Sequence, residues 1–376
     1  MGYAITSTEK IKSLEKFLSS VDMGKVCLLY DDDADGLCSA VSFTKMLEEK
    51  NISYISYAKF IERKLFSVDF LKELTEQEVT HIVCVDFEPL SWDYITTEQL
   101  DTLPFHLCVI DHHAHKTSEY KTDTYQRLCI HPLDITDAPD ASQYCCSKFV
   151  FDICAQIVDL SDIEWKILPG IIGDMNIIEW GEYVRRIAKT QKVVIGDERD
   201  SFFHSPFGQF AHITAFAAKA GIEVFENLCR DYITASTIDE ALALGSQFSH
   251  AQKTLQHILT HWKEYEETRD SSLSFIHLPN DTGMTSLISS IISYAHPQKT
   301  FVFYQLHSDS QAYHCSLRCQ ETKVHLGELA RDVSAHFTGS NGGGHKPAAG
   351  LLCQKKDITE CFSLLEKLYN ERLSLI

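Results

Sequence analysis

Asp31, Asp32, Asp33 and Asp35 put four carboxylates into five consecutive positions. Carboxylates held that close repel one another, and a folded chain relieves the repulsion with water, protons or a cation. The surrounding stretch, VCLLYDDDADGLCSA, runs from residue 26 to 40: an apolar segment ends in acid and then in Gly36. A lone cluster of this kind is most often a solvated turn. The same event recurs, however, in HIVCVDFEP, where Asp86 closes an apolar run. It recurs again in FHLCVIDHHAH, where the run ends in Asp111, His112, His113 and, two residues on, His115. Asp174 follows apolar Ile171 and Ile172 in a small-residue turn, where its ordinary role would be a helix cap.

Two specific readings of the acidic stretch can be weighed. Asp31, Asp33, Asp35 and Gly36 match the first half of an EF-hand loop, but the twelfth position is Ser42 and not a bidentate Glu. The segment before the loop also reads as a strand, which excludes the calcium loop. A phosphatase with an aspartyl nucleophile would place Asp33 and Asp35 after a strand in the same way. No later segment completes that pattern, so it remains a minor alternative.

A second constellation lies near the end of the chain. In NGGGHKPAAG, residues 341–350, four of ten residues are Gly. As a loop, Gly342, Gly343 and Gly344 could turn backbone N–H groups toward one anion, with His345 and Lys346 adding donors. Such a loop is usually only a turn. Its pairing with Arg318, and with Ser316 two residues earlier on the same expected strand, argues for a phosphate pocket.

The elements that must position these residues follow from periodicity. Val26–Leu29, Ile82–Val85 and Leu107–Ile110 read as buried strands, separated by segments of helical spacing. Ile52–Tyr57 is a weaker strand, residues 7–20 an amphipathic helix, and Asp69–Glu78 another helix. Alternation of this kind predicts an α/β fold with a parallel sheet, whose ligands bind beyond the carboxyl ends of the strands. Asp31–Asp35, Asp86 and Asp111–His113 would then meet in one crevice.

Helices are expected over residues 141–160 and 162–168. Residues 182–268 carry mainly helical signals, at Phe210–Ala220, Ile222–Arg230 and Ile238–Glu267, and read as a helical connector. A smaller α/β domain then follows, with strands at Leu273–Leu278, Phe301–Leu306 and Tyr313–Cys319. Its helices fall at Met284–Tyr294, Gly327–His336 and 357–373. The expected division is residues 1–181, 182–268 and 269–376.

The 376 residues give ample material for a core, and no apolar run reaches the roughly 18 residues of a membrane span. No secretion signal is evident in MGYAITSTEK. Thirteen Cys without framework spacing point to buried thiols in a reducing cytoplasm and argue against structural zinc. The net charge of −19 is uneven. From residue 269 onward Lys+Arg and Asp+Glu balance at 10 each, so residues 1–268 carry 24 Lys+Arg against 43 Asp+Glu. Broad phosphate neutralisation along a long nucleic acid needs basic stripes, and none is present.

Taken in order, Asp31-x-Asp33-x-Asp35-Gly36, Asp86, Asp111-His112-His113, Asp174, Ser316-Leu317-Arg318 and Gly342-Gly343-Gly344-His345 resemble the DHH phosphoesterase superfamily. The resemblance spans nearly the whole chain. It is nearest to the branch with a DHH-associated C-terminal domain, namely RecJ-type exonucleases and the nanoRNase/pAp-phosphatase group. It implies an N-terminal parallel-sheet catalytic domain, a helical connector and a smaller C-terminal α/β substrate-binding domain. It also implies two metal ions, one at Asp31 and Asp33, the other at Asp35, His112 and Asp174, with Asp86 bridging. Many members have His at the position of Asp31, and RecJ-type proteins share its Asp.

By the same resemblance His113 touches the scissile phosphate, and it would stabilise the transition state or protonate the leaving oxygen. Asp111 would orient the histidines. Arg318 and the glycine segment would grip substrate phosphate. Five carboxylates and one imidazole suit Mn²⁺, or Mg²⁺, better than zinc or copper. A pair of such ions supplies a clamp on the phosphoryl oxygens during in-line displacement.

The implied activity is exonuclease-like hydrolysis of single-stranded or short nucleic acid. Hydrolysis of pAp, a dinucleotide or polyphosphate is the alternative, and a non-catalytic replication or repair scaffold ranks last. The implied partners are nucleotide substrates and, as an option, a second copy of the chain in a homodimer.

Overall fold

The computed structural model describes residues 2–91, 93–113, 125–267, 272–279, 284–307 and 311–375. His115 and the expected boundary at residue 269 lie outside the described residues. The chain divides into two compact units, residues 1–196 with 201–248, and residues 197–200 with 249–376.

The first unit is built on five parallel strands: β1 (Lys25–Tyr30), β2 (Tyr54–Ala58), β3 (Val79–Val85), β4 (His106–Ile110) and β5 (Arg127–Ile130). Their order is β2-β1-β3-β4-β5. Val26–Leu29, Ile82–Val85 and Cys108–Ile110 are fully buried, which explains their unbroken apolar sequences. Chain direction across the sheet reverses between β1 and β3, the switch point at which such sheets open a crevice. The helix Ala34–Glu49 leaves β1 through the acidic turn.

The connector differs from its sequence reading. The run expected as one helix over Ile238–Glu267 is broken into Ile238–Leu244, Ser249–His261 and two 3-10 turns. Gly245 interrupts it: a Cβ there would lie 2.3 Å from Ile213 Cδ1, so close packing selects a residue poorly suited to a helix interior. The helix expected over 162–168 is a 3-10 turn, Glu164–Ile167, followed by a helix at Leu168–Gly173 with Pro169 in its first turn. Of residues 141–160, Cys146–Ala155 is α-helical.

The second unit holds β6 (Ser274–His277), β7 (Phe301–His307), β8 (Ala312–Arg318), β9 (Asn341–Gly344) and β10 (Ala348–Gln354), in the order β6-β7-β8-β10-β9. Phe275, Val302, Leu317 and Leu351 on one sheet face pack with Leu329 and Val333 of the helix Leu326–Ser334. Phe362 and Leu365 of the helix Ile358–Ser374 complete that core.

The glycine segment is not a loop. Asn341–Gly344 is an edge strand antiparallel to β10. A Cβ on Gly342 would lie 2.3 Å from Ala330 O, and one on Gly327 would lie 2.0 Å from Gly344 O. The glycines therefore let a strand and a helix touch backbone to backbone. All 13 cysteines are buried free thiols. Among the described residues no helix is long and apolar enough to cross a membrane.

Candidate metal centre

Strand register aligns the site. Tyr30 pairs with both Ala58 and Val85, Val85 with Ile110, and Ile110 with Ile130. The residues that follow, Lys59, Asp31, Asp86, Asp111 and His131, therefore form one row along the carboxyl edge of the sheet. Sequence reasoning finds the three acids of this row and misses both flanks.

The acidic turn is tightly built. Asp33 caps the helix Ala34–Glu49, accepting from Asp35 N at 2.9 Å and Gly36 N at 3.0 Å. Gly36 is required sterically, since a Cβ there would sit 2.4 Å from Asp31 O. Asp35 points back into the protein and is met by a second helix. Its Oδ2 accepts from Cys146 N at 2.7 Å and its Oδ1 from Ser147 N at 2.9 Å, the first N–H groups of Cys146–Ala155.

Asp86 adopts φ 66°, a left-handed conformation in which Asp is among the better-tolerated side chains. Its side chain is buried and Oδ1 has no hydrogen-bond partner. His112 Nε2 lies 3.6 Å from that oxygen and 3.8 Å from Asp35 Oδ2, while its Nδ1 lies 4.0 Å from Asp174 Oδ2. Asp174 is at the C-terminal end of the helix Leu168–Gly173, where the helix dipole disfavours a carboxylate. Asn176 compensates, donating to Asp174 Oδ2 at 2.9 Å and accepting from Cys145 N at 3.1 Å.

Two groups of ligand atoms result, Asp35–His112–Asp174 and Asp86–His112–His113, each within 4.8 Å. Their separations are too long for hydrogen bonds. Oxygen ligands stand about 2.0–2.1 Å from Mg²⁺, so atoms up to about 4 Å apart can share one such ion. Orphaned Asp86 Oδ1, the spacing and the donor chemistry fit a hard divalent cation. Asp31 and Asp33 belong to neither group.

The sequence profile of the DHH family, N-terminal domain, matches residues 25–173, and that of the DHHA1 domain matches residues 275–371. Together the two matches take in well over half of the chain. The chain belongs to the DHH family.

No curated protein sequence shows significant similarity to it. Among solved structures, RecJ in complex with Mn²⁺ from Thermus thermophilus aligns with TM-score 0.60 and 14% identity. That match covers 96% of this chain and 54% of RecJ, so the chain spans about half of that relative's length. The DHH domain of a member of the s1p family of ribosomal proteins aligns with TM-score 0.65 and 14% identity, over 96% of this chain and 92% of the other. A pGpG-specific phosphodiesterase, PggH from Vibrio cholerae, aligns with TM-score 0.52 and 14% identity, over 93% and 100%. At such identity the likenesses establish the DHH fold.

The electrostatics of the DHH unit follow from crowding. Burial and then Asp33 push Asp35 up to about 7. Asp31 reaches about 6, raised by burial and held down by Lys59. Asp33 is raised too, by desolvation and then Asp31, but less than its buried neighbours because its side chain is exposed to solvent. Asp86 and Asp174 are raised well above the usual carboxylate range, by burial first and Asp35 next. Burial and His113 lower His112 to about 4, so it is neutral, the form that ligates metals.

Asp111 is the exception. Burial would raise it, but His113 prevails and it is lowered; His113 Nδ1 lies 2.8 Å from Asp111 Oδ1. His113 is raised, because Asp111 outweighs its desolvation. His131 Nε2 lies 3.1 Å from His113 O and so ties down the backbone of that residue.

A pH dependence of stability follows. A carboxylate whose folded pKa exceeds its unfolded value, near 3.9, binds its proton more tightly when folded. Metal-free protein should therefore lose stability as pH rises from about 4 through about 7, by about 1.4 kcal/mol per unit of pKa shift. Thermal melts at pH 5 and 8, in chelator and in saturating Mn²⁺, measure this. The metal-free melting temperature should fall by several degrees and Mn²⁺ should remove the fall. A metal-free melting temperature that rises with pH would contradict the burial of these acids.

The remaining sequence-derived residues sit in the second unit. Arg318 ends β8 and donates to Ser286 Oγ at 3.3 Å and to Leu317 O at 3.3 Å. It forms no ion pair among the described residues. Ser316 lies on the same strand face, buried, with its Oγ 2.9 Å from Ser289 Oγ. His345 and Lys346 are exposed in the turn after β9.

Convergence of the Gly342–Gly344 N–H groups on one anion is not realised. Successive N–H groups of a strand point to opposite edges, and these face β10 in alternation. The turn carbonyls of His345 and Lys346 take the N–H groups of Gly327 and Leu326, each at 3.0 Å.

Proposed function

We propose that the chain is a divalent-metal-dependent phosphoesterase that hydrolyses phosphodiester bonds of short or single-stranded nucleic acid. The observation that carries this reading is the sharing of His112 between two ligand groups, beside a His113 held by Asp111. Asp35, Asp86, His112 and Asp174 would hold the ion, and Asp31 and Asp33 offer a further acidic position. The oxygen-rich donor set favours Mn²⁺ or Mg²⁺. Mn²⁺ in the Thermus RecJ structure supports that choice. When bound, such an ion polarises the phosphoryl group and activates water for in-line displacement. Asp111 accepts from His113 Nδ1 and so fixes the ring and favours its protonated form. His113 would then meet charge on the phosphoryl or leaving oxygen. Arg318, Ser316, His345 and Lys346 would bind substrate phosphate, with Gly342–Gly344 serving to bring the strand before His345 close to the helix Leu326–Ser334.

A second reading, hydrolysis of a small phosphate compound such as pAp, a dinucleotide or polyphosphate, is favoured by the net charge of −19. Either substrate is held at a few phosphates and not along a stripe. KM should therefore level off after a few nucleotides, and its salt dependence should match two or three phosphates at roughly −0.7 each. The test is a product and KM profile with end-labelled DNA and RNA of several lengths, dinucleotides, pAp and polyphosphate, under Mn²⁺ at two salt concentrations. Mononucleotide release from oligonucleotides supports the first reading. Turnover confined to pAp, dinucleotide or polyphosphate selects the second. Affinity that keeps rising with length and collapses in salt would contradict the short-substrate reading.

A further inference from the structure

Lys59 is the first residue after β2, and its N–H donates to Tyr30 O at 2.6 Å, which pins its backbone beside Asp31. The side chain is only 8% exposed. Its Nζ stands 2.5 Å from Asp31 Oδ2 and 5.6 Å from the centroid of Phe87, the neighbour of Asp86. Lysine is among the residues least often buried, and then it is paired. This one is fixed at the strand row, between the leading acid of the DxDxD turn and the ring beside Asp86.

The acids of the row are unequally committed. Asp31 Oδ1 accepts from Asp32 N at 2.7 Å and its Oδ2 takes Lys59. Asp33 Oδ1 is engaged as a helix cap. By contrast, Asp86 Oδ1 and His112 Nδ1 are buried without a hydrogen-bond partner. Backbone N–H groups and Asn176 donate to Asp35 and Asp174 as well, so neutral donors do not separate the two ion positions; what sets Asp31 apart is that its partner, Lys59, is a cation. Neither group of convergent ligand atoms includes Asp31 or Asp33.

We infer that the Lys59 ammonium takes the place of the first cation at Asp31. The chain then holds one divalent ion tightly, at Asp35, Asp86, His112 and Asp174, and Lys59 supplies the second positive charge toward the substrate phosphate. This rests on the metal centre proposed above and departs from the two-ion arrangement that the sequence resemblance implies. An ammonium and a divalent ion on the same carboxylate repel, so a second ion binds only where Lys59 is removed.

The experiment counts Mn²⁺ on the metal-stripped full chain, by elemental analysis after gel filtration and by electron paramagnetic resonance. Wild type should retain one ion per chain with the spectrum of an isolated Mn²⁺. Lys59→Met should retain two, show a coupled pair, and gain more melting temperature from Mn²⁺ than wild type does. Lys59→Arg, which keeps the charge, should retain one. Two tightly held ions in the wild type would overturn the proposal whatever the variants do. One ion in both wild type and Lys59→Met would overturn it as well. If Lys59→Met does not fold, Lys59→Gln carries the same comparison, since its amide can still donate to Asp31. No ion on the wild type would overturn the metal centre itself, an outcome distinct from the other two.

Discussion

Replacing Asp86 by Asn is expected to remove divalent-ion binding and turnover while leaving the fold intact. The residue is 1% exposed at the switch point between β1 and β3, it belongs to one of the two ligand groups, and its Oδ1 faces His112 and His113. An amide keeps the shape and tolerates the φ of 66° well, but offers a neutral oxygen to the ion. Loss of a single transition-state donor costs about 10²–10³ in kcat. Loss of the ion's central carboxylate should cost at least the upper end of that range. The same substitution should stabilise the metal-free protein. Asp86 is crowded by Asp35, Asp33, Asp31 and Asp111, and an amide is buried there without the proton uptake that the carboxylate requires. Asp86→Asn should thus melt higher than wild type in chelator and gain little from Mn²⁺. Retained Mn²⁺ together with kcat within tenfold of wild type would remove Asp86 from the centre.

The acids of the site were legible because a buried parallel strand advertises itself. VCLLY, HIVCV and HLCVI are too apolar for any setting but a covered sheet, so the Asp after each is at a strand end. Lys59 was not legible for the opposite reason. β2 is half-buried over most of its length, its sequence YISYA alternates, and a Lys after such a strand reads as solvated. Only the register Tyr30 to Ala58 brings it to Asp31. His131 was missed because β5 has four residues, too few for periodicity to register. Asn176 acts through two polar contacts that no spacing encodes. The glycine segment misled because glycine permits turns and close backbone approach alike, and here the approach of the helix Leu326–Ser334 decides.

His113 should separate from Asp86 in its effect. Asp111 is fully buried and lowered in pKa, so it is ionised and can only accept; His113 Nδ1 therefore carries the proton of their 2.8 Å contact. That nitrogen is engaged by Asp111 and is withheld from an ion, although it lies 4.0 Å from Asp86 Oδ1. His113→Ala should then lower kcat by about 10²–10⁴, the range for general acid–base groups, with Mn²⁺ content unchanged. Asp111→Asn adds the directional test. Asp111 raises the pKa of His113, so its removal lowers that pKa. If protonated His113 is the active form, the alkaline fall of kcat begins at lower pH in Asp111→Asn than in wild type. Mn²⁺ lost from His113→Ala would make this residue a ligand, as the group Asp86–His112–His113 also permits. An alkaline limb that stays in place in Asp111→Asn would show that the proton on His113 is not the one the reaction uses.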